Sequence, residues 1–295
     1  MALEIIKKEI VGEIDDLDAK LSGEIPVDRL ELFYLVNSWG RNFFIYIKDT
    51  NDYKTRIAQC KIGNCYDLSR LDTSKITNMD SLFENTSFDG DISNWNVSKV
   101  TSMKNMFSNA INFNQPIDSW NTSNVTNMMS MFLNTENFNQ NINNWNISNI
   151  TNMKGMFYGA KSFNQPVNNW NTSNVTSMFE IFSSAEEFNQ DVNSWDVSNV
   201  TSMSYMFNKS KLFNQNISSW NLDKVEKCDY MFKETKAFLD KYNSGEPLPN
   251  YTNDIKTWVN INRDRMNAIN IKEKHGKEVD SFFSNFSNKE ISKEI

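Results

Sequence analysis

Side-chain catalysis needs an activated nucleophile, a base or a metal cluster, and this chain is poor in all three. It holds one histidine, His275, in a polar stretch near the C-terminus. Any Ser-His-Asp or Cys-His pair would have to use it, and no activated nucleophile lies nearby in sequence. The three cysteines, Cys60, Cys65 and Cys228, are scattered, so with one histidine they do not make a four-ligand zinc site. Cys60 and Cys65 read either as a pair or as two free thiols. Neither a phosphate-binding G-x-x-x-x-G-K-[ST] loop nor a G-x-G-x-x-G turn occurs. The cluster Asp15, Asp16 and Asp18 lacks calcium-loop spacing, and Glu186 and Glu187 read as a solvated face. The expectation is a protein that is not an enzyme and takes no cofactor or metal.

The residues that do recur point elsewhere. Trp95, Trp120, Trp145, Trp170, Trp195 and Trp220 are spaced by 25 residues without an insertion. Phe88 to Phe238, Ile92 to Ile217, Val100 to Val225 and Met103 to Met203 keep the same step, and Cys228 takes the last Met slot. The unit reads F-N-Q-x-I-x-x-W-N-x-S-x-V-T-x-M-x-x-M-F-x-x-A-x-x. Around 63–87 it is one residue shorter and degenerate, as a terminal unit should be.

Two periodicities divide each unit. Trp95 and Val97 alternate as in a short strand, whereas Val100, Met103, Met106 and Phe107 follow the spacing of one helical face. Such a unit cannot close a core alone and must stack on its neighbours. A buried Trp removes roughly 150–250 Å² from water. At about 25 cal/mol per Å² that is on the order of 4–6 kcal/mol per unit before entropy. The fold class expected is therefore an α/β repeat solenoid of about seven 25-residue rungs, each a strand plus a short helix. Residues 63–237 form the array. Residues 1–62 read as an N-terminal cap, with a helix over Val27–Val36 and a hairpin from 42–47 and 55–62, set to close the edge of the first rung. Residues 238–295 read as a C-terminal helical cap or a partner-binding tail.

Polar columns accompany the apolar ones. Asn96, Asn121, Asn146, Asn171 and Asp196 recur beside the Trp, and Asn114 to Asn214 follow each Phe. Turns, ladders and next-rung hydrogen bonds account for such columns, and a binding strip is the rival reading. The Thr at 101, 126, 151, 176 and 201 suits a helix N-cap. The N-x-S/T matches are a by-product of the repeat. Other columns vary: Lys104, Met129, Lys154, Phe179, Ser204 and Asp229 in one, and Asn105, Ser130, Gly155, Glu180, Tyr205 and Tyr230 in the next. A regular partner suits the uniform strip of Asn96, Asn121, Asn146, Asn171 and Asp196. An irregular partner suits the varied face, with Phe179, Tyr205 and Tyr230 as anchors.

The chain has 295 residues and a formal net charge of −7. An acidic chain without basic runs does not suit nucleic acid or an anionic membrane. No apolar stretch reaches the roughly 18 residues of a membrane span. No signal peptide is visible, which as the sequence stands reads as cytoplasmic.

The segments FNQPIDSWNTSNVTNMMSMF, FNQPVNNWNTSNVTSMFEIF and FNQDVNSWDVSNVTSMSYMF closely resemble the mycoplasma-type repeats of BspA-like bacterial leucine-rich-repeat surface proteins. The resemblance covers roughly residues 63–237. It implies a right-handed, curved leucine-rich-repeat-like coil, a binding role, and display at the cell surface or secretion, with adhesion and host contact. The functional expectation is a bacterial protein-interaction module that binds another protein through the solenoid surface. The alternatives are a surface or secreted adhesin or effector contacting host protein or glycan, and an enzyme with its site in a terminal cap.

Overall fold

The computed structural model describes the backbone of three strands, Leu32–Val36, Asn42–Asp49 and Lys54–Lys61, and of residues 73–290, with side chains over residues 73–276. The three strands, β1, β2 and β3, form one antiparallel sheet in sequence order. The segments read as a hairpin are β2 and β3, in register from Asn42↔Lys61 to Asp49↔Lys54. The helix expected over Val27–Val36 does not form at Leu32–Val36. That bulky LFYLV segment favours extended backbone and pairs with β2, from Leu32↔Ile47 to Val36↔Phe43. Cys65, and the expected cover over the first rung, lie outside the described residues.

From residue 73 onward the repeat units stack, but not as strand plus helix. Neither the strand expected around Ile92–Val97 nor the helix expected around Val100–Phe107 is present. Each unit is instead a chain of tight turns. Trp95 N–H donates to Ile92 O (3.1 Å), Val100 to Val97 (2.9 Å), Met106 to Met103 (3.2 Å) and Ala110 to Phe107 (2.9 Å). Left-handed residues stop the helix: Asn105 has φ 56 and Asn109 φ 57. The same two positions are left-handed in the units above, down to Tyr230 and Glu234. The helical spacing did identify one buried face, since Met103, Met106, Phe107 and Ala110 are all fully buried.

Left-handed residues also redirect the backbone donors. In the Met103–Asn109 ribbon, alternate N–H groups leave the unit and bond the next one. Met103 donates to Asn127 O (2.9 Å), Asn105 to Met129 O (2.9 Å), Phe107 to Met131 O (2.9 Å) and Asn109 to Leu133 O (2.7 Å). The pattern repeats to the end of the array, with parallel bridges such as Ser177↔Ser202 and Ser202↔Lys227. This ribbon, not the Trp segment, is the hydrogen-bonded seam of the stack.

Aromatic columns fill the interior. Phe157 stacks on Phe182 with centroids 5.5 Å apart, Phe163 on Phe188 at 6.1 Å and Trp170 on Trp195 at 6.2 Å. From Trp120 to Trp220 the column indoles are also satisfied: Trp145 Nε1 donates to Ile117 O (3.0 Å) and Trp170 Nε1 to Ile142 O (3.1 Å) in the preceding unit.

Three helices finish the stack: α1 (Lys236–Asn243), α2 (Thr252–Ile261) and α3 (Arg263–Glu290). Phe238, Leu239 and Tyr242 of α1, Ile255 and Val259 of α2, and Met266 of α3 are buried in the same core. The helices also meet carbonyls of the last units. Arg263 donates to Ser218 O and Trp220 O (both 2.5 Å), and Lys256 Nζ to Val225 O (2.9 Å).

Candidate interaction surface

The uniform strip is exposed, and its side chains serve their own turns. Ser98 N–H donates to Asn96 Oδ1 (3.1 Å), Ser123 to Asn121 (3.1 Å), Ser148 to Asn146 (3.0 Å), Ser173 to Asn171 (3.1 Å) and Ser198 to Asp196 (2.9 Å). These are Asx turns, which explain the column without a ligand. The hydrogen bonds from Ser198 hold the Asp196 carboxyl below its ordinary range.

Other polar columns tie unit to unit. Asn139 Oδ1 accepts Asn164 N–H (3.0 Å) and Gln165 Nε2 (3.0 Å), and Asn164 Oδ1 accepts Asn189 N–H (2.9 Å) and Gln190 Nε2 (2.8 Å). The Asn-Gln pair after each Phe is thus a ladder. The Thr column is another, rather than a set of helix caps: Thr126 Oγ1 donates to Thr101 O and Thr176 Oγ1 to Thr151 O, both at 3.1 Å.

Most of the varied residues are at least partly exposed on the ribbon, with Gly155 and Ser204 buried, and here the structure gathers the aromatics. Phe179 meets Tyr205 edge to face at 6.1 Å, with planes at 70°. Tyr205 stacks on Tyr230 at 5.1 Å and 19°. All three are half-buried. Lys154 Nζ lies 5.0 Å from the Phe179 centroid, and Lys233 Nζ 5.4 Å from that of Tyr230. Glu180 is half-buried beside them, and burial pushes its carboxyl up despite the nearby Lys154. The predicted residues therefore separate into two places: an Asx-turn row on the Trp segment, and an aromatic cluster on the ribbon.

Sequence spacing missed one member. Tyr205 N–H donates to Asp229 O (2.9 Å), and in the same register Tyr230 N–H donates to Asn250 O (2.8 Å). Asn250 thus accepts in the register of Asp229, and Tyr251 follows at the next level with extended rather than left-handed backbone (φ −104). Tyr251 is 67% exposed. The 25-residue step hid it, because the loop before α2 reaches that position in fewer residues.

No group of His, Cys, Asp and Glu suited to a metal occurs among the described residues. His275 lies on the exposed part of α3. Cys228 is buried, and burial pushes its thiol up to about 11, far from a reactive thiolate. Among the described residues no helix is long and apolar enough to cross a membrane.

The profile of a family described as Mycoplasma protein of unknown function, DUF285, matches residues 51–152 and 134–244, well over half of the chain. The chain belongs to the DUF285 family. Both matches fall on the repeats, so the aromatic strip at Phe179, Tyr205 and Tyr230 lies inside the DUF285 region, and Tyr251 just beyond it. Neither a curated protein nor a solved structure matches the chain.

Proposed function

We propose that this chain is a non-enzymatic interaction module of a bacterium, binding a partner protein through the surface of its repeat stack. The observation that carries the reading is the aromatic cluster of Phe179, Tyr205 and Tyr230 on the varied face. Buried aromatic residues fill the core regularly, but these three repeat nowhere else in their columns. Large aromatics, Tyr among them, are the residue types enriched in the anchors of protein interfaces. The uniform Asn row is a weaker candidate, because its Asx turns already use its side-chain oxygens.

On this reading the stack is a leucine-rich-repeat-type solenoid allied to BspA-like surface proteins. The hydrogen-bonded ribbon then corresponds to the face such coils use for binding. That correspondence is an argument by analogy of architecture.

The test is affinity capture with the full chain from a lysate of its native bacterium, with retained proteins identified by mass spectrometry. A specific protein retained by the full chain, then bound by it in purified form, supports the module. Retention of nothing beyond control beads, or turnover of a substrate abolished by His275→Ala, overturns it.

A further inference from the structure

The two variable columns change character along the array. At the first left-handed ribbon position the early units carry Asn105, Ser130 and Gly155. Asn and Gly accept positive φ at little cost. The later units carry Glu180 (φ 56), Tyr205 (φ 59) and Tyr230 (φ 58). A Tyr side chain makes that backbone harder to hold. Nothing in the core requires it, since neither ring belongs to the buried core. Strained residues gathered at one surface cluster point to a role at that surface.

Ring geometry limits what the cluster can recognise. Tyr205 and Tyr230 stack face to face, so one face of each ring is closed to a ligand. Phe179 has Lys154 over its ring and Tyr205 against it at a steep angle. A sugar ring needs an open aromatic face, and ring or ammonium contacts already occupy faces of Phe179, Tyr205 and Tyr230. Ring edges carry partial positive charge, and phenols and ammonium groups donate hydrogen bonds. Lys154, Lys209 and Lys233 are exposed around the strip. The nearest carboxylates are largely committed: Asp229 Oδ1 accepts Thr252 N–H (2.8 Å) and Oγ1–H (2.9 Å), and Glu180 is half-buried. Glu234, and Asp254 three residues after Tyr251, are the exposed acids beside it. Within a chain of net charge −7, this is a donor-rich, cation-rimmed strip.

Length sets the form of the ligand. Phe179, Tyr205, Tyr230 and Tyr251 occupy successive levels, roughly 4.8 Å apart where backbone hydrogen bonds join them. The strip therefore spans about 14 Å, the reach of four or five residues of extended chain.

Resting on the interaction reading above, we infer that the strip of Phe179, Tyr205, Tyr230 and Tyr251 docks an extended, acidic peptide segment of the partner protein. The rings and phenols supply the anchors, and Lys154, Lys209 and Lys233 meet its carboxylates.

The experiment is selection of random linear peptides displayed on phage against the immobilised full chain. A parallel selection uses the double variant Tyr205→Asn, Tyr230→Asn. Asn occupies the same backbone conformation at Asn105, so the variant keeps its fold, and its urea midpoint checks this. The expected result is enrichment of Asp- and Glu-bearing peptides by the parent. Their affinity falls at least about 10-fold in the variant. It also falls with added salt, as screened charge pairs require. Enrichment of neutral or basic peptides, no enrichment, or binding that the folded variant retains would overturn the inference. So would self-association lost in the variant, which assigns the strip to a second copy, or retention on a polysaccharide, which assigns it to a glycan. A lysate partner captured equally by parent and variant would leave the interaction module standing and remove this site from it. Should the variant unfold, Lys154→Glu with Lys233→Glu, both exposed, replaces it under the same criteria.

Discussion

A single indole shows how one residue type serves two ends. Trp145 is 3% exposed, stacks on Trp120 at 6.2 Å and donates through Nε1 to Ile117 O. Trp145→Ala removes the packing and leaves that carbonyl without its donor. The expected loss is about 3–5 kcal/mol, read as a lower urea midpoint. Equal midpoints for parent and variant would contradict the stacked core. Gly159 illustrates the opposite constraint. Its φ is +67, and an added Cβ would lie 2.2 Å from Asn134 Oδ1. That amide closes a short ladder, with Asn134 donating to Asn109 Oδ1 (2.9 Å) and Asn109 to Asn85 Oδ1 (2.8 Å). Gly159→Ala should cost about 1–2 kcal/mol from the backbone alone, plus the displaced amide. Thermal unfolding of the variant measures it, and an unchanged midpoint would mean that the left-handed turn is not held as described.

At the scale of the element, the ladders between units carry what the turns inside them cannot. Asn139 Oδ1 satisfies both Asn164 N–H and Gln165 Nε2. The first full unit solves the same problem with a carboxylate, where Asp89 Oδ1 accepts Asn114 N–H (3.0 Å) and Gln115 Nε2 (2.9 Å). Asn139→Asp should therefore be tolerated, whereas Asn139→Leu strands two donors and costs about 1–3 kcal/mol for each that stays buried. Chemical denaturation of both variants separates them, and similar losses would show that the acceptor is not what matters. The apolar columns of this element were legible in sequence because every fixed Trp, Phe and Met is a buried rung contact. The element type was not. Met103, Met106 and Phe107 share a face in a helix, and they equally share one in a run of turns broken by left-handed residues. Only positive φ tells the two apart, and Glu180, Tyr205 and Lys209 do not advertise it as Gly155 and Gly159 do. For the same reason the varied columns were readable as one face, while their place on the hydrogen-bonded seam was not.

For the whole molecule, a stack of identical seams has an end, and the end is a hazard. Each ribbon offers donors along the stack, and the last one would present Cys228 and Tyr230 N–H groups to another chain. The segment before and at the start of α2 closes them: Cys228 N–H donates to Thr252 Oγ1 (2.9 Å) and Tyr230 N–H to Asn250 O. Arg263 and Lys256 do the same for carbonyls on the Trp side. Such a cap is needed for solubility because a repeat array otherwise templates its own growth. Truncation after residue 249 should therefore produce concentration-dependent association in sedimentation, with the array still folded by near-ultraviolet circular dichroism of its Trp column. Restoring the helices but replacing Arg263 by Ala should give a milder form of the same behaviour, since Ser218 O and Trp220 O then lose a charged donor. A truncated chain that stays monomeric at every concentration would mean that the open seam is protected by something other than these helices. The cap would then be free to serve the partner rather than the stack, and Tyr251, which it places one level beyond Tyr230, would be the first residue to re-examine by substitution.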